Sequence, residues 1–231
     1  MKKQTISDLI GELDTDMDMD SLTPDLATNC ATCPGAAVAA RAIRRNPHTL
    51  LRRAFSEMKL LDILSAADLK DGVTVHVISG GDIDSLSYLK HVLRQQTLDY
   101  VLLSTWCMAQ DDIDQLREWL ATGRITRLDA YVGEIFPASY APMHKALKSI
   151  VDGCNGRVAV FRDHAKVYAG IGPKYAFAIE SSANINTNPR AENTVLTIGA
   201  DIFQFYKEYF DGIRSFVRDY DQWEPWEKEH A

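Results

Sequence analysis

His164-Ala-Lys166-Val-Tyr-Ala-Gly-Ile171-Gly-Pro-Lys174-Tyr-Ala-Phe-Ala-Ile-Glu180-Ser181-Ser182-Ala-Asn184 is the stretch on which the reading of this chain turns. Two apolar runs, 164–171 and 175–181, flank the turn triplet Gly172-Pro173-Lys174. Residues 164–181 therefore read as a β-hairpin. In an extended strand, side chains at i and i+2 share a face, so His164 and Lys166 are expected side by side. An imidazole beside a fixed ammonium suits attack on a phosphate: one is the nucleophile, the other holds the anionic oxygens.

Upstream, the pattern alternates. Strands are predicted over 73–79, 99–106 and 125–134, and helices over 82–96, 110–122 and 140–152. That alternation predicts an α/β fold, a mixed and mainly parallel sheet flanked by helices. After 155 the alternation stops. A strand over 158–162, the hairpin and a strand over 194–198 follow with no helix between them. A closing helix is predicted over 200–218, with Phe203, Tyr206, Phe210, Ile213, Phe216 and Val217 on its apolar face.

The 231 residues carry 46% hydrophobic and 25% charged side chains, the balance of a globular protein. No stretch approaches the length of a membrane-spanning helix. Met1-Lys2-Lys3 leads into polar residues and not into the apolar core of a signal peptide, so a cytoplasmic location is expected, without stable membrane association. The net charge of −7 is uneven: residues 1–25 hold seven acids and two lysines. The acidic balance is thus largely a property of the leader and leaves nucleic acid open as a partner.

Four segments follow. Residues 1–35 are expected to form an acidic, flexible leader, 36–66 an α-helical N-terminal extension, 67–220 the main α/β domain and 221–231 a C-terminal tail. The tail's Trp223-Glu-Pro-Trp226 is expected at the surface or in an oligomer contact. The alternating aspartates from Asp14 to Asp20 do not make a calcium loop, because Met19 stands where such a loop needs glycine. In the extension, Arg44, Arg45, Arg52 and Arg53 could touch a phosphate backbone or line a solvated helix face. Cys30 and Cys33 form a lone Cys-x-x-Cys, open to zinc or to plain loop thiols. Cys107 and Cys154 are isolated and expected buried.

The segment from Arg157 to about Ile213 resembles the phospholipase D superfamily, in its nuclease-like form with one His-Lys motif per chain. The order His164-Ala-Lys166, hairpin, Ser181-Ser182-Ala183-Asn184, then Glu192 carries the resemblance. It implies a phospholipase D-like domain and a phosphodiesterase of the hydrolase type. By that resemblance His164 is the nucleophile of a phosphohistidine intermediate. Lys166 and Asn184 bind phosphate oxygens, Ser181 or Ser182 positions the phosphate, and Glu192 orients the imidazole. It implies no metal and no other cofactor. The reaction also needs an acid for the leaving oxygen, and a second histidine from a symmetry-related subunit implies a homodimer with one composite site. Two positions depart from the family pattern: Ile171 stands where an Asp is usual, and Glu180 or Ser181 replaces a glycine. The expected substrate is nucleic acid or another phosphodiester. The alternatives are a catalytically decayed nucleic-acid-binding or assembly module, and phosphatidyl transfer on lipid.

Overall fold

Runs of β-branched and aromatic residues, each bounded by a turn or a helix, build one seven-stranded sheet. The computed structural model describes residues 57–64, 69–80, 83–185, 190–217 and 223–228. The chain divides into Met1–Arg45 and Asn46–Ala231, and every described residue belongs to the second unit. The acidic leader, Cys30, Cys33, Arg44, Arg45, Arg52 and Arg53 lie outside the described residues.

The strands are β1 (Thr74–Ser79), β2 (Leu98–Thr105), β3 (Ile125–Gly133), β4 (Val158–Phe161), β5 (Val167–Ile171), β6 (Ala176–Ser181) and β7 (Glu192–Ile198). Their spatial order is β1-β7-β6-β5-β2-β3-β4. The helices are α1 (57–64), α2 (Ser85–Gln95), α3 (Gln110–Ala121), the single turn α4 (Phe136–Ser139), α5 (Ala141–Asp152) and α6 (Ala200–Asp211).

The α/β architecture with a mixed sheet is as the sequence predicts. The expectation of a mainly parallel sheet needs refining. Only β2–β3 and β3–β4 pair in parallel, whereas β2–β5, β5–β6, β6–β7 and β7–β1 are antiparallel. Five strands still point one way, because β5 and β7 alone are reversed. The helix-free second half of the domain supplies both reversed strands, and strands joined without helices pair antiparallel.

Each face of the sheet carries its own core. On one face, Leu60 and Leu64 of α1, Leu89 and Val92 of α2, Leu116 of α3 and Leu147 of α5 pack on Val101, Leu128, Tyr168 and Phe177. Burying a leucine of this kind contributes about 1.5–3 kcal/mol. Leu60 and Leu64, read from the sequence as part of the helical extension, are buried in the core on this face of the sheet. On the other face, Phe203 and Phe210 of α6 cover Tyr100, Leu102, Tyr131, Ala169 and Ala178.

Several boundaries move. α6 ends at Asp211 and not at 218. Beyond Gly212 the chain runs beside β4, where the Phe216 N–H donates to the Val160 carbonyl at 2.7 Å and the Val160 N–H donates to Ser215 Oγ at 3.0 Å. The strand expected over 194–198 begins at Glu192. The described tail residues lie at the surface as expected and are held there by their two tryptophans. Trp226 stacks on Tyr100 with ring centroids 5.0 Å apart, and Trp223 lies 3.6 Å from the Arg157 guanidinium. The hairpin turn is close-packed at the far end of the sheet. Gln96 accepts from the Lys174 N–H at 2.9 Å, and a Cβ on Gly172 would meet the Thr97 carbonyl at 2.1 Å.

Arg157 ties these parts together. It is buried under Trp223 and donates to Tyr131 Oη at 2.9 Å, to the Phe210 carbonyl at 2.6 Å and to the Ile213 carbonyl at 3.3 Å. Its backbone N–H donates to the buried Asp129 carboxylate at 2.9 Å, which also accepts from the Tyr100 hydroxyl. Replacing Arg157 with Met strips several buried acceptors of their donor, so the urea unfolding free energy should fall by about 3 kcal/mol. A loss under about 1 kcal/mol would contradict this account of the network.

Candidate active site

The C-terminal ends of β2, β3, β4 and β6 meet the N-terminal ends of β5 and β7 along one edge of the sheet. The parallel half joins the antiparallel half there, at the β2–β5 seam. Ligands commonly bind outside the carboxyl ends of strands at such a change of direction.

His164 and Lys166 lie at this edge. They do not share a strand as the sequence reading expects, because β5 begins at Val167, paired with Ser104. Asp163 is the reason. Its buried carboxylate accepts from the Ala165 N–H at 2.8 Å and from Ser104 Oγ at 2.7 Å, which turns the chain before the ladder starts. The two side chains nevertheless meet, with Lys166 Nζ 3.1 Å from His164 Nδ1 and also donating to the His164 carbonyl. His164 is exposed, whereas Lys166 is buried at 7% exposure.

The electrostatics follow from that burial. Desolvation lowers the Lys166 pKa below the ordinary lysine value, against the opposing pull of Asp163, Cys107 and Glu192. Desolvation likewise raises the Asp163 pKa, opposed by Ser104, the Ala165 N–H, Lys166 and His164. The Cys107 thiol is pushed up by burial, although Lys166 pulls it down. One buried cation thus lies in the field of Asp163 and Glu192, hydrogen-bonded to His164, with the imidazole at the solvent side.

The other expected site residues gather at the same edge. Ser181 Oγ lies 2.9 Å from Thr194 Oγ1 and accepts from the Ala183 N–H at 3.1 Å. Ser182 Oγ donates to Glu192 and accepts from the Asn193 N–H at 3.1 Å. Glu192 therefore binds Ser182, and no hydrogen bond joins it to the His164 ring among the described residues. Asn184 stands next to Ile185, whose N–H donates to Thr105 Oγ1 at 3.2 Å, and this anchors the segment to the end of β2. The Asn184 Oδ1 atom is buried with no hydrogen-bond partner among the described residues.

Of the positions that depart from the family pattern, Ile171 and Glu180 point away from the site, whereas Ser181 lies at its edge. Ile171 is at the opposite end of β5, paired with Tyr100 and packed on the α6 face. Glu180 accepts from the Tyr206 hydroxyl of α6. Sequence reasoning missed Ser104, Trp106 and Asp163. The only local signals for them were polar residues closing an apolar run and an acid directly before His164. Among the described residues, no group of three or more His, Cys, Asp or Glu side chains is placed to hold a metal, and no helix is long and apolar enough to cross a membrane.

No sequence-family profile and no curated protein sequence matches this chain. Solved structures share part of its path. A polyphosphate kinase from Porphyromonas gingivalis overlaps at TM-score 0.47 and 14% identity, over 63% of this chain and 27% of that one. NucT from Helicobacter pylori overlaps at 0.46 and 14%, over 60% of this chain and 94% of that one. TrmBL2, an archaeal chromatin protein, overlaps at 0.43 and 13%, over 71% and 61%. The chain thus spans about a quarter of the kinase's length. These are partial likenesses of chain path, and none assigns this chain an activity or a partner.

The turn before β5 depends on one carboxylate. Asp163→Ala should speed hydrogen exchange of the Ala165 amide by at least about tenfold, because that N–H loses its only side-chain acceptor. Asp163→Asn keeps an acceptor oxygen and should retain most of the protection. Unchanged exchange in Asp163→Ala would show that the turn is held by something else.

Proposed function

We propose that this chain is a metal-independent phosphodiesterase of the phospholipase D type, nuclease-like, working through His164. The observation that carries the reading is an exposed imidazole 3.1 Å from a buried ammonium at the open ends of the strands. The ammonium is partly desolvated, so its attraction for a phosphate oxygen is stronger than in water.

The steps follow from these residues. Lys166 and Asn184 hold the non-bridging oxygens of the diester, and Ser181 and Ser182 fix the Asn184 segment and the Glu192 carboxylate. His164 Nε2 forms a bond to phosphorus as the P–O bond to the leaving group breaks. The leaving oxygen takes a proton from an acid, which this reading assigns to the second His164 of a homodimer. Water then attacks the phosphohistidine, the P–N bond breaks and the imidazole is restored. The acid-turned-base receives the water's proton.

The resting geometry sets one requirement. A Lys166 ammonium bonded to Nδ1 places the neutral ring's proton on Nε2, the atom that must attack. Substrate must therefore draw Lys166 from Nδ1 onto a phosphate oxygen. The ring proton then moves to Nδ1, where Glu192 can accept it after leaving Ser182. The same geometry favours a second reading, a decayed binding module in which the Lys166–His164 contact is permanent.

Hydrolysis of bis(p-nitrophenyl) phosphate in excess EDTA separates the two. The first reading expects turnover by wild type and none by His164→Ala. No turnover by wild type on this diester or on single- or double-stranded DNA would favour the binding module. Lys166→Met should lower kcat/KM by about 100-fold or more while leaving the fold intact.

The pH dependence has a definite sign. Phosphate binding needs Lys166 protonated, and its pKa is lowered by burial. Activity should therefore fall on the alkaline side beginning below the ordinary lysine value of 10.5. Lys166→Arg should move that limb upward, since arginine keeps its proton. An alkaline limb unmoved by this substitution would assign it to another group.

A further inference from the structure

Trp106 follows the last residue of β2, beside His164. Its ring centroid is 6.1 Å from that of His164, with the planes tilted by 49°. The side chain is half-buried, and its indole N–H makes no hydrogen bond to a described residue. Gly133 at the end of β3 is cut to fit it: a Cβ there would lie 2.6 Å from Trp106 Cδ1. A side chain at Gly133 would thus push the indole from its place on the rim of the site, where it also packs against the apolar core. Arg162 and Arg190 are exposed on the segments that carry His164 and Glu192, and neither forms an ion pair with a described residue.

We infer that Trp106 is a stacking platform for a nucleobase, and that the diester cleaved at His164 belongs to single-stranded nucleic acid. The inference rests on the phosphodiesterase reading and deepens it. A base lies one sugar away from its own phosphate, so a diester held at His164 brings the neighbouring base to the indole. In a duplex that base is paired and stacked, and its face is closed to a protein side chain. An unpaired strand presents the face freely, and every base has one, so the platform selects strandedness and not sequence. Arg162 and Arg190 supply sequence-independent attraction for the flanking phosphates.

The test uses the full chain in EDTA and fluorescence anisotropy with two labelled dodecamers built with hydrolysis-resistant, equally charged linkages in place of the phosphodiesters, oligo(dT) and an abasic strand of equal charge. Wild type should prefer the base-bearing strand by about tenfold, the range expected for one stacked base. Trp106→Ala should erase that preference while holding the abasic affinity within about twofold, and Trp106→Phe should keep most of it. Equal weakening on both strands would show that Trp106 only supports the fold, and an unchanged preference would remove it from base contact; either result overturns the inference. Absence of binding to both strands also overturns it. EDTA-resistant hydrolysis of bis(p-nitrophenyl) phosphate by the same sample would then leave the phosphodiesterase reading standing.

Discussion

The antiparallel pairing of β5 with β2 is the constraint on which the rest depends. β2 is the only strand that borders both a parallel and an antiparallel neighbour in this sheet. Its carboxyl end presents Ser104, Thr105, Trp106 and Cys107 in succession, and each meets a different part of the edge. Ser104 binds Asp163, Thr105 binds the Ile185 N–H, Trp106 flanks His164, and Cys107 lies in the field of Lys166. A slip of one residue in that register would turn Ser104 and Thr105 each to the opposite face and displace the residues that follow them.

Burial gives the edge its chemical character. A lysine in a strand loop is ordinarily a solvated point charge. Here burial removes most of the water from Lys166, while the charges of Asp163, Cys107 and Glu192 favour its protonated form. The desolvation lowers its pKa, and the neighbouring acids limit the shift. Exposed His164 and buried Lys166 thus divide the work that a phosphate site requires: access for the reacting atom and a fixed, poorly hydrated cation for the charge.

Much of this was legible in the sequence. The strand and helix order from 73 to 152 follows from hydrophobic alternation, and Gly172-Pro173-Lys174 marks the hairpin that the structure contains. The hairpin brings His164 and Lys166 to the same edge as Ser181 and Ser182, while the place of Glu192 at that edge was expected from the family resemblance and not from the hairpin. What was not legible depends on long-range register. Ser104 and Asp163 are 59 residues apart, and no local pattern says that they touch. The apolar residues Ile213, Phe216 and Val217 continue the helical period of α6, yet the chain beyond Gly212 leaves the helix to pair with β4. Trp223 and Trp226 show no periodicity at all, so their packing on Arg157 and Tyr100 could not be read from spacing.

The central claim is that His164 carries the phosphoryl group during turnover. The most direct measurement is peptide mapping by mass spectrometry after an alkaline, denaturing quench of the enzyme turning over in EDTA, since phosphohistidine survives base. A phosphoryl-linked adduct is expected on the peptide that contains His164, at that residue. Turnover with no covalent adduct, or with the adduct on a different residue, would contradict it.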